Sequence, residues 1–264
     1  MGIFENIGKF ALKTSAAIWD IAALFLNTLY WVFFAPLKGK FIGRRYIFEQ
    51  MVFAGIQSLP IVFFVALFIG VVLAMQGAYQ LDKLGAVRYV AGLISVSIAR
   101  EIGPVLIALV IAGRVGAAIA AEIGSMKVSE QIEALEAMAL NPVRFLVVPR
   151  FLALIVMLPV LTAIGDLVGM FGGYLIGVYN LKISPGLYIS TNFQFLTVKD
   201  IMTGLFKSFV FAVIIALIGC YQGLKAYGGA EGVGRATTLS VVTSFIMIIL
   251  ADCVLTAAFY FSRI

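Results

Sequence analysis

Arg100 and Glu101 stand side by side within a long apolar run, VAGLISVSIAREIGPVLIALVIAGRVGAAIAAEIG. An ionisable side chain in a membrane span costs on the order of 2–3 kcal/mol or more, so it faces a cavity or a partner. Neighbouring helical residues project about 100° apart, so the two are expected to reach partners on other helices rather than share one groove. Lys207, in another apolar run, is the candidate partner for Glu101. The constellation reads either as a structural ion pair or as a polar patch that meets a substrate headgroup. Asp166 and Asp252 are the other carboxylates within apolar runs. Each reads as a proton or cation site, or as a structural group satisfied by a nearby hydroxyl or backbone group. Arg114 and Glu122 fall near one end of the second span, where long side chains snorkel to the interface.

Several chemistries are excluded. The chain has no histidine, which removes histidine nucleophile sets, histidine proton relays and the common metal sites. Cys220 and Cys253 lie in apolar runs without metal-ligand spacing, and no disulfide is expected between them. No GxxxxGK[ST] is present, and GAEGVG follows no strand, so no nucleotide site is expected. Any ATP-driven work would belong to another polypeptide. The net charge of +6 reads as topology and headgroup contact, not as a nucleic-acid surface.

The elements that position these residues follow from composition. Of the 264 residues, 62% are hydrophobic and 12% charged, and the mean hydropathy is +1.09, far from a soluble domain. Apolar runs longer than about 18 residues predict an all-α integral membrane protein. Five spans are expected at 52–76, 89–121, 148–180, 200–223 and 238–261. The second and third exceed the bilayer core and must tilt, bend or project, with Pro104 and Pro159 as bends. Residues 18–35 are rich in interfacial aromatics and are flanked by basic residues on both sides, so an N-terminal interfacial helix is expected. No cleavable signal segment is expected, and Asn6 breaks the myristoylation pattern. With the N-terminus inside, inner segments hold eleven basic residues against five outside, which favours that orientation.

Gly165, Gly169, Gly173 and Gly177 recur every four residues, as do Gly113, Ala117, Ala121 and Gly116, Ala120, Gly124. Such ladders allow close helix approach, either within the chain or at a dimer or sliding surface. Residues 126–139 predict an amphipathic helix too short to span. Val128, Ile132 and Leu135 line one stripe, Met138 or Ala139 extends it, and Glu130, Glu133 and Glu136 lie opposite. Asn141-Pro142 is expected to end it. Its charged face is either simply solvated or a docking handle. KAYGGAEGVGRATT is expected to be a glycine-rich inner loop.

The block from Arg100 to Ala153, REIGPVLIALVIAGRVGAAIAAEIGSMKVSEQIEALEAMALNPVRFLVVPRFLA, resembles the signature of the MlaE/YrbE permease family. Gln76-Gly77, GAEGVGRATTLSVV and the Asp252, Leu255, Thr256 pattern are similar to it as well. The resemblance covers the chain from about residue 45; residues 78–98 match loosely and the first 44 poorly. It implies a single permease domain over 1–264, with 1–45 interfacial and 46–264 the transmembrane core. It further implies the membrane subunit of an ABC transporter for lipids, in a bacterial inner membrane with the N-terminus cytoplasmic. Such systems move phospholipids between inner and outer membranes and maintain outer-membrane lipid asymmetry. The expected partners are a second copy, a cytoplasmic ABC ATPase carrying ATP and Mg, a periplasmic MCE-domain hexamer, a small cytoplasmic accessory subunit and phospholipid, with no nucleic acid. No cofactor is expected on this chain, which is a transport subunit and not an enzyme. The helix at 126–139 would be the coupling helix, with Lys127, Glu130, Glu133, Leu135, Glu136 and Met138 at the ATPase. Leu73, Gln76, Gly77, Leu81, Leu84, Arg100 and Glu101 would line the lipid path. The competing readings are an ion-coupled secondary transporter using Glu101, Asp166 or Asp252, which would suit internal inverted repeats that the sequence lacks, and a non-transporting scaffold.

Overall fold

Inside a bilayer each backbone N–H and C=O needs an internal partner, and a helix supplies one for nearly every residue. The computed structural model describes residues 2–34 and 43–261, with side chains from residue 15 onward. Lys38, Lys40 and Arg263, which enter the charge count, lie outside the described residues, as do the side chains of Lys9 and Lys13. The described residues form helices and contain no strand. In order these are α1 (Gly2–Leu29), α2 (Arg44–Ala54), α3 (Leu59–Asp82), α4 (Val90–Ser97), α5 (Gly103–Ile111), α6 (Ala117–Val128), α7 (Gln131–Ala137), α8 (Val148–Leu175), α9 (Pro185–Phe195), α10 (Val198–Leu224) and α11 (Gly229–Phe261).

Six stretches are long and apolar enough to cross a membrane: Ser15–Phe34, Arg44–Asp82, Val87–Val128, Val143–Asn180, Val198–Leu224 and Gly229–Phe261. Five contain the expected spans, and the sixth is the N-terminal segment expected at the interface. Asp20, Phe25 and Trp31 of this segment meet the end of the bundle that carries α7. Asp20 pairs with Lys225 at 2.6 Å, the Phe25 ring meets Phe151 at 6.3 Å, and Arg144 lies over Trp31 at 5.6 Å.

The first span is broken. Gly55 lets Met157 pack against the backbone, where a Cβ would sit 1.9 Å from its methyl, and a 3-10 turn at Ile56–Ser58 separates α2 from α3. Arg114 closes the break, donating from Nη1 to the Phe53 carbonyl at 3.0 Å and to Ser58 Oγ at 2.6 Å. This corrects the expectation that Arg114 snorkels: it serves carbonyls and hydroxyls that the break leaves without helical partners. The second span carries π-turns at Ile98–Ile102 and Ala112–Gly116. The first of these directly precedes Pro104, which has no N–H to return to the Arg100 carbonyl, so the regular ladder cannot continue there. The bend expected from Pro104 is therefore a π-turn, while Pro159 sits within continuous α8.

The glycine ladder of α8 packs within the chain. A Cβ at Gly70 of α3 would lie 1.8 Å from the Gly169 carbonyl oxygen, and one at Gly172 would lie 2.4 Å from that of Leu67. Gly165 receives Ile107, and Gly173 and Gly177 receive Tyr188 of α9. Half of the apolar window of α10 is buried against 11% for α11, so α8 and α10 form the centre and α11 the periphery.

Three local expectations change. The helix expected over 126–139 is two pieces: α6 runs to Val128, Glu130 takes a left-handed φ of 58°, and only Gln131–Ala137 form α7. Asn141 caps the start of the third span, its Oδ1 accepting from Val143 N at 2.9 Å. The glycine-rich inner loop is confined to the turn before residue 229. Gly228 and Gly229 take φ of 87° and 71°, which L side chains rarely adopt, and α11 then begins. Helix α9, unforeseen, starts at Ser184-Pro185, where Ser184 Oγ accepts from Leu187 N.

Candidate functional site

The π-turn at Ile98–Ile102 presents Arg100 and Glu101 toward α10 and α11. Glu101 Oε2 accepts from Lys207 Nζ, which also donates to Thr256 Oγ1 at 2.7 Å. Asp252 Oδ1 lies 2.8 Å from the same ammonium as an ion pair, off the hydrogen-bonding direction. Asp252 and Thr256 stand four apart on α11, so both face inward from one side of that helix. Thr256 Oγ1 also lies 3.2 Å from Glu101 Oε2. Lys207 is fully buried, while the side chains of Arg100 and Glu101 are each 34% exposed. The Glu101–Lys207 pairing expected from sequence is present, and Asp252 joins it.

Arg100 and Glu101 converge, contrary to the expectation that adjacency keeps them apart. Arg100 Nε lies 3.9 Å from Glu101 Oε1, and its Nη1 lies 3.7 Å from Asp200 Oδ1. The widened turn and the length of the arginine side chain bring the charges together. Asp200 is fixed by a capping box at the start of α10, accepting from Thr197 N at 3.0 Å and from Thr197 Oγ1 at 2.7 Å. Asp166 is separate from this cluster. It is buried against Gly103, and its Oδ1 has no hydrogen-bond partner among the described residues.

A pocket of about 270 Å³ opens between α3 and α4, lined by Leu73, Gln76, Gly77, Gln80, Leu81, Leu93, Ile94 and Ser97. Four of the five expected lining residues of the first span are therefore brought together. Leu84 is not among them: it lies beyond the end of α3 and is exposed. Ser97 stands one helical turn before Glu101, so the pocket and the charged cluster are consecutive along one helix.

At the opposite end of the second span, α7 buries Ile132 and half-buries Leu135, and it exposes Glu133, Glu136 and Met138. Lys127 at the end of α6 donates to Glu133, which holds that carboxyl below the ordinary glutamate range. Glu130 occupies the left-handed turn between α6 and α7. Glu122 and Arg150 join the two long helices that flank α7, at 2.8 Å, and Arg150 also donates to the Leu146 carbonyl at 2.6 Å. A charged contact therefore ties α7 to α6, and another ties α6 to α8.

The permease MlaE family model matches residues 47–258, most of the chain. This chain belongs to the MlaE permease family. A probable ABC transporter permease protein of Rickettsia prowazekii is 44% identical over 258 residues, 98% of each chain. One from Synechocystis is 44% identical over 243 residues, 91% of each chain. The intermembrane phospholipid transport system permease protein MlaE of Haemophilus influenzae is 36% identical over 231 residues, 86% of this chain and 88% of that one. Six apolar helices in an MlaE permease make this a multi-pass membrane protein.

Several residues of these polar sites carry little signal in the sequence. Asp200 looks like a residue outside the membrane by position, though Thr197-x-x-Asp200 is a capping-box spacing. Gln80, Leu93, Ile94 and Ser97 fall where the family resemblance is loose, and no spacing singles them out. Arg150 reads as an inner-loop basic residue until its partner Glu122 is placed beside it.

Proposed function

We propose that this chain is the membrane-spanning subunit of an ABC transporter that moves phospholipids between the inner membrane and a periplasmic MCE-domain partner. A separate cytoplasmic ATPase supplies ATP, Mg and hydrolysis. The observation that carries this reading, beyond family membership, is the succession along one helix of an apolar pocket with amide and hydroxyl edges and a charged cluster one turn away. A phospholipid has the same division between acyl chains and headgroup. The pocket is small for a diacyl lipid and opens on the periphery, which suits a cavity completed by a second copy of the chain.

The α7 end is the cytoplasmic end in this reading. There α7 is the coupling helix, with Glu133, Glu136 and Met138 offered to the ATPase and Lys127, Glu130 and Leu135 setting its attachment. Lys127 ties α7 to α6 and the Glu122–Arg150 pair ties α6 to α8, so displacement of α7 is passed to both. Residues 20–31 rise about 16 Å as a helix, yet Asp20 and Trp31 both contact groups at this same end. That favours α1 lying along the cytoplasmic interface, with five helices spanning. A small cytoplasmic accessory subunit completes the expected assembly.

Ion-coupled secondary transport is disfavoured because Lys207 already occupies Glu101 and Asp252. The direct test is purification of the tagged chain from its native membrane with mass spectrometry of proteins and lipids. An ATPase, an MCE-domain protein and enriched phospholipid are expected. A lone chain without an ATPase would overturn the proposal.

A further inference from the structure

We infer that the turn between α10 and α11 binds the phosphate of an anionic phospholipid, at the opposite end of the bundle from the pocket between α3 and α4. Gly124 of α6 faces Ala226 and Val233, so this turn lies at the α7 end, which is the cytoplasmic end in the proposed reading. The inference needs a bilayer around the spans and does not need lipid transport. A cavity of about 330 Å³ opens at the turn, and Gln222, Lys225, Tyr227, Arg235 and Leu239 are among its lining. The lining has two cations and no carboxylate. Basic pockets between spans on the cytoplasmic side suit anionic headgroups.

Lys225 is already paired with Asp20 at 2.6 Å, so Arg235 is the cation left to bind. Arg235 has no ion pair among the described residues. Glu231, about one turn before it on α11, lines the adjoining groove and not this cavity. The Arg235 guanidinium lies over the Tyr227 ring, 5.7 Å from its centroid, and beside Gly228, where a Cβ would sit 3.5 Å from Nη2. These contacts orient its planar fork without using its donors, and that fork matches pairs of phosphate oxygens. Gln222, about one turn from Lys225, brings an amide donor to the same cavity.

The surface beside the cavity distinguishes a lipid from a soluble phosphate. Leu239, Val242, Ile246 and Leu250 are exposed and continue the Arg235 face of α11 at helical spacing. From Arg235 to Leu250 the stripe runs about 22 Å into the span. A phosphate at the cations with acyl chains along the stripe is the arrangement of a phospholipid. A zwitterionic headgroup carries its own cation beside the phosphate, which competes with Arg235, whereas a glycerol headgroup carries none.

The test is native mass spectrometry of the full chain, purified with its native partners, delipidated in detergent and titrated with phosphatidylglycerol or phosphatidylcholine. Phosphatidylglycerol is expected to bind more tightly. Arg235→Gln is expected to weaken it about fivefold, the effect of one partly exposed ion pair, with little change for phosphatidylcholine. Tyr227→Leu, at an exposed position of the turn, is expected to weaken it about twofold through loss of the ring beneath Arg235. Arg45→Gln removes an equal charge outside the cavity and is expected to change nothing. Lipid in the pocket between α3 and α4 does not meet Arg235, so the difference between variants reads this site alone. Undiminished phosphatidylglycerol binding in Arg235→Gln and Tyr227→Leu, or an equal loss in Arg45→Gln, would overturn the inference and leave lipid transport standing. Displacement of the lipid by inorganic phosphate at equal concentration would overturn the lipid as the source of the phosphate. A disulfide joining two copies of Arg235→Cys would overturn the lipid as occupant and assign this face to a second copy.

Discussion

Two faces of the same π-turn are held by opposite means. On one face, Ile98 packs on Gly169, Gly103 lies against Asp166, and α3 meets α8 through glycine backbones. On the other, Arg100 and Glu101 reach α10 and α11 through ion pairs. Lipid tails are as apolar as a leucine side chain, so helices in a bilayer associate through close approach and polar contacts rather than hydrophobic expulsion. The glycine face uses the first, and its one carboxylate, Asp166, is buried against Gly103. The charged face uses the second, and its groups are partly exposed and unevenly matched. Close backbone approach and ion pairing are thus divided across one helical turn.

Removing Lys207 would break the comparison most severely. Lys207→Met leaves Glu101 and Asp252 without their cation, and a loss of about 3–5 kcal/mol is expected. Melting of the detergent-solubilised protein checks it, and the triple variant with Glu101→Gln and Asp252→Asn should recover much of the loss. On the other face, Gly70→Ala drives a methyl into the Gly169 carbonyl. A loss of about 1–3 kcal/mol is expected, with lipid selectivity unchanged in whatever protein folds. Similar melting of Gly70→Ala and the native chain would show that the α3–α8 contact is looser than described. Arg114→Ala leaves the Phe53 carbonyl and Ser58 hydroxyl without their donor, for about 1–3 kcal/mol. Hydrogen exchange at residues 53–58 should rise well above that of α3.

The smallest effect lies at α7. Lys127 holds the Glu133 carboxyl below its ordinary range, so their contact is present above the unfolded glutamate pKa and is lost as pH falls through the lowered folded value. Lys127→Ala should abolish that acid-side change in α7 mobility, measured by a spin label on Glu136→Cys, with no measurable change in global melting.

The glycine face was largely legible in the residues themselves. A four-residue glycine repeat names one helix face, and its packing partner is the neighbouring span. The charged face was legible only in outline. Glu101 and Lys207 announce each other as opposite charges in apolar runs, but hydropathy carries no azimuth, so Asp200 and Thr256 were not joined to them. The π-turn was hidden for a related reason: a 3.6-residue reading assumes a regular helix, and only Pro104 signals that the ladder breaks. Leu73, Gln76, Gly77 and Leu81 came from family resemblance and not from any pattern in the chain. Residues 15–34 show the limit of composition most plainly. Their hydropathy suits crossing or lying flat, and Asp20 and Trp31 both contact one end of the bundle.

Transport by the reconstituted assembly tests the central claim most directly. Proteoliposomes containing this chain with its ATPase and MCE partner should transfer labelled phospholipid only when ATP is supplied, with no change when ion gradients are collapsed. The Glu101→Ala assembly should hydrolyse ATP but transfer at least about tenfold less lipid, equivalent to about 1.4 kcal/mol of lost transition-state stabilisation. Transfer without ATP that stops on gradient collapse, or normal transfer by Glu101→Ala, would contradict the account.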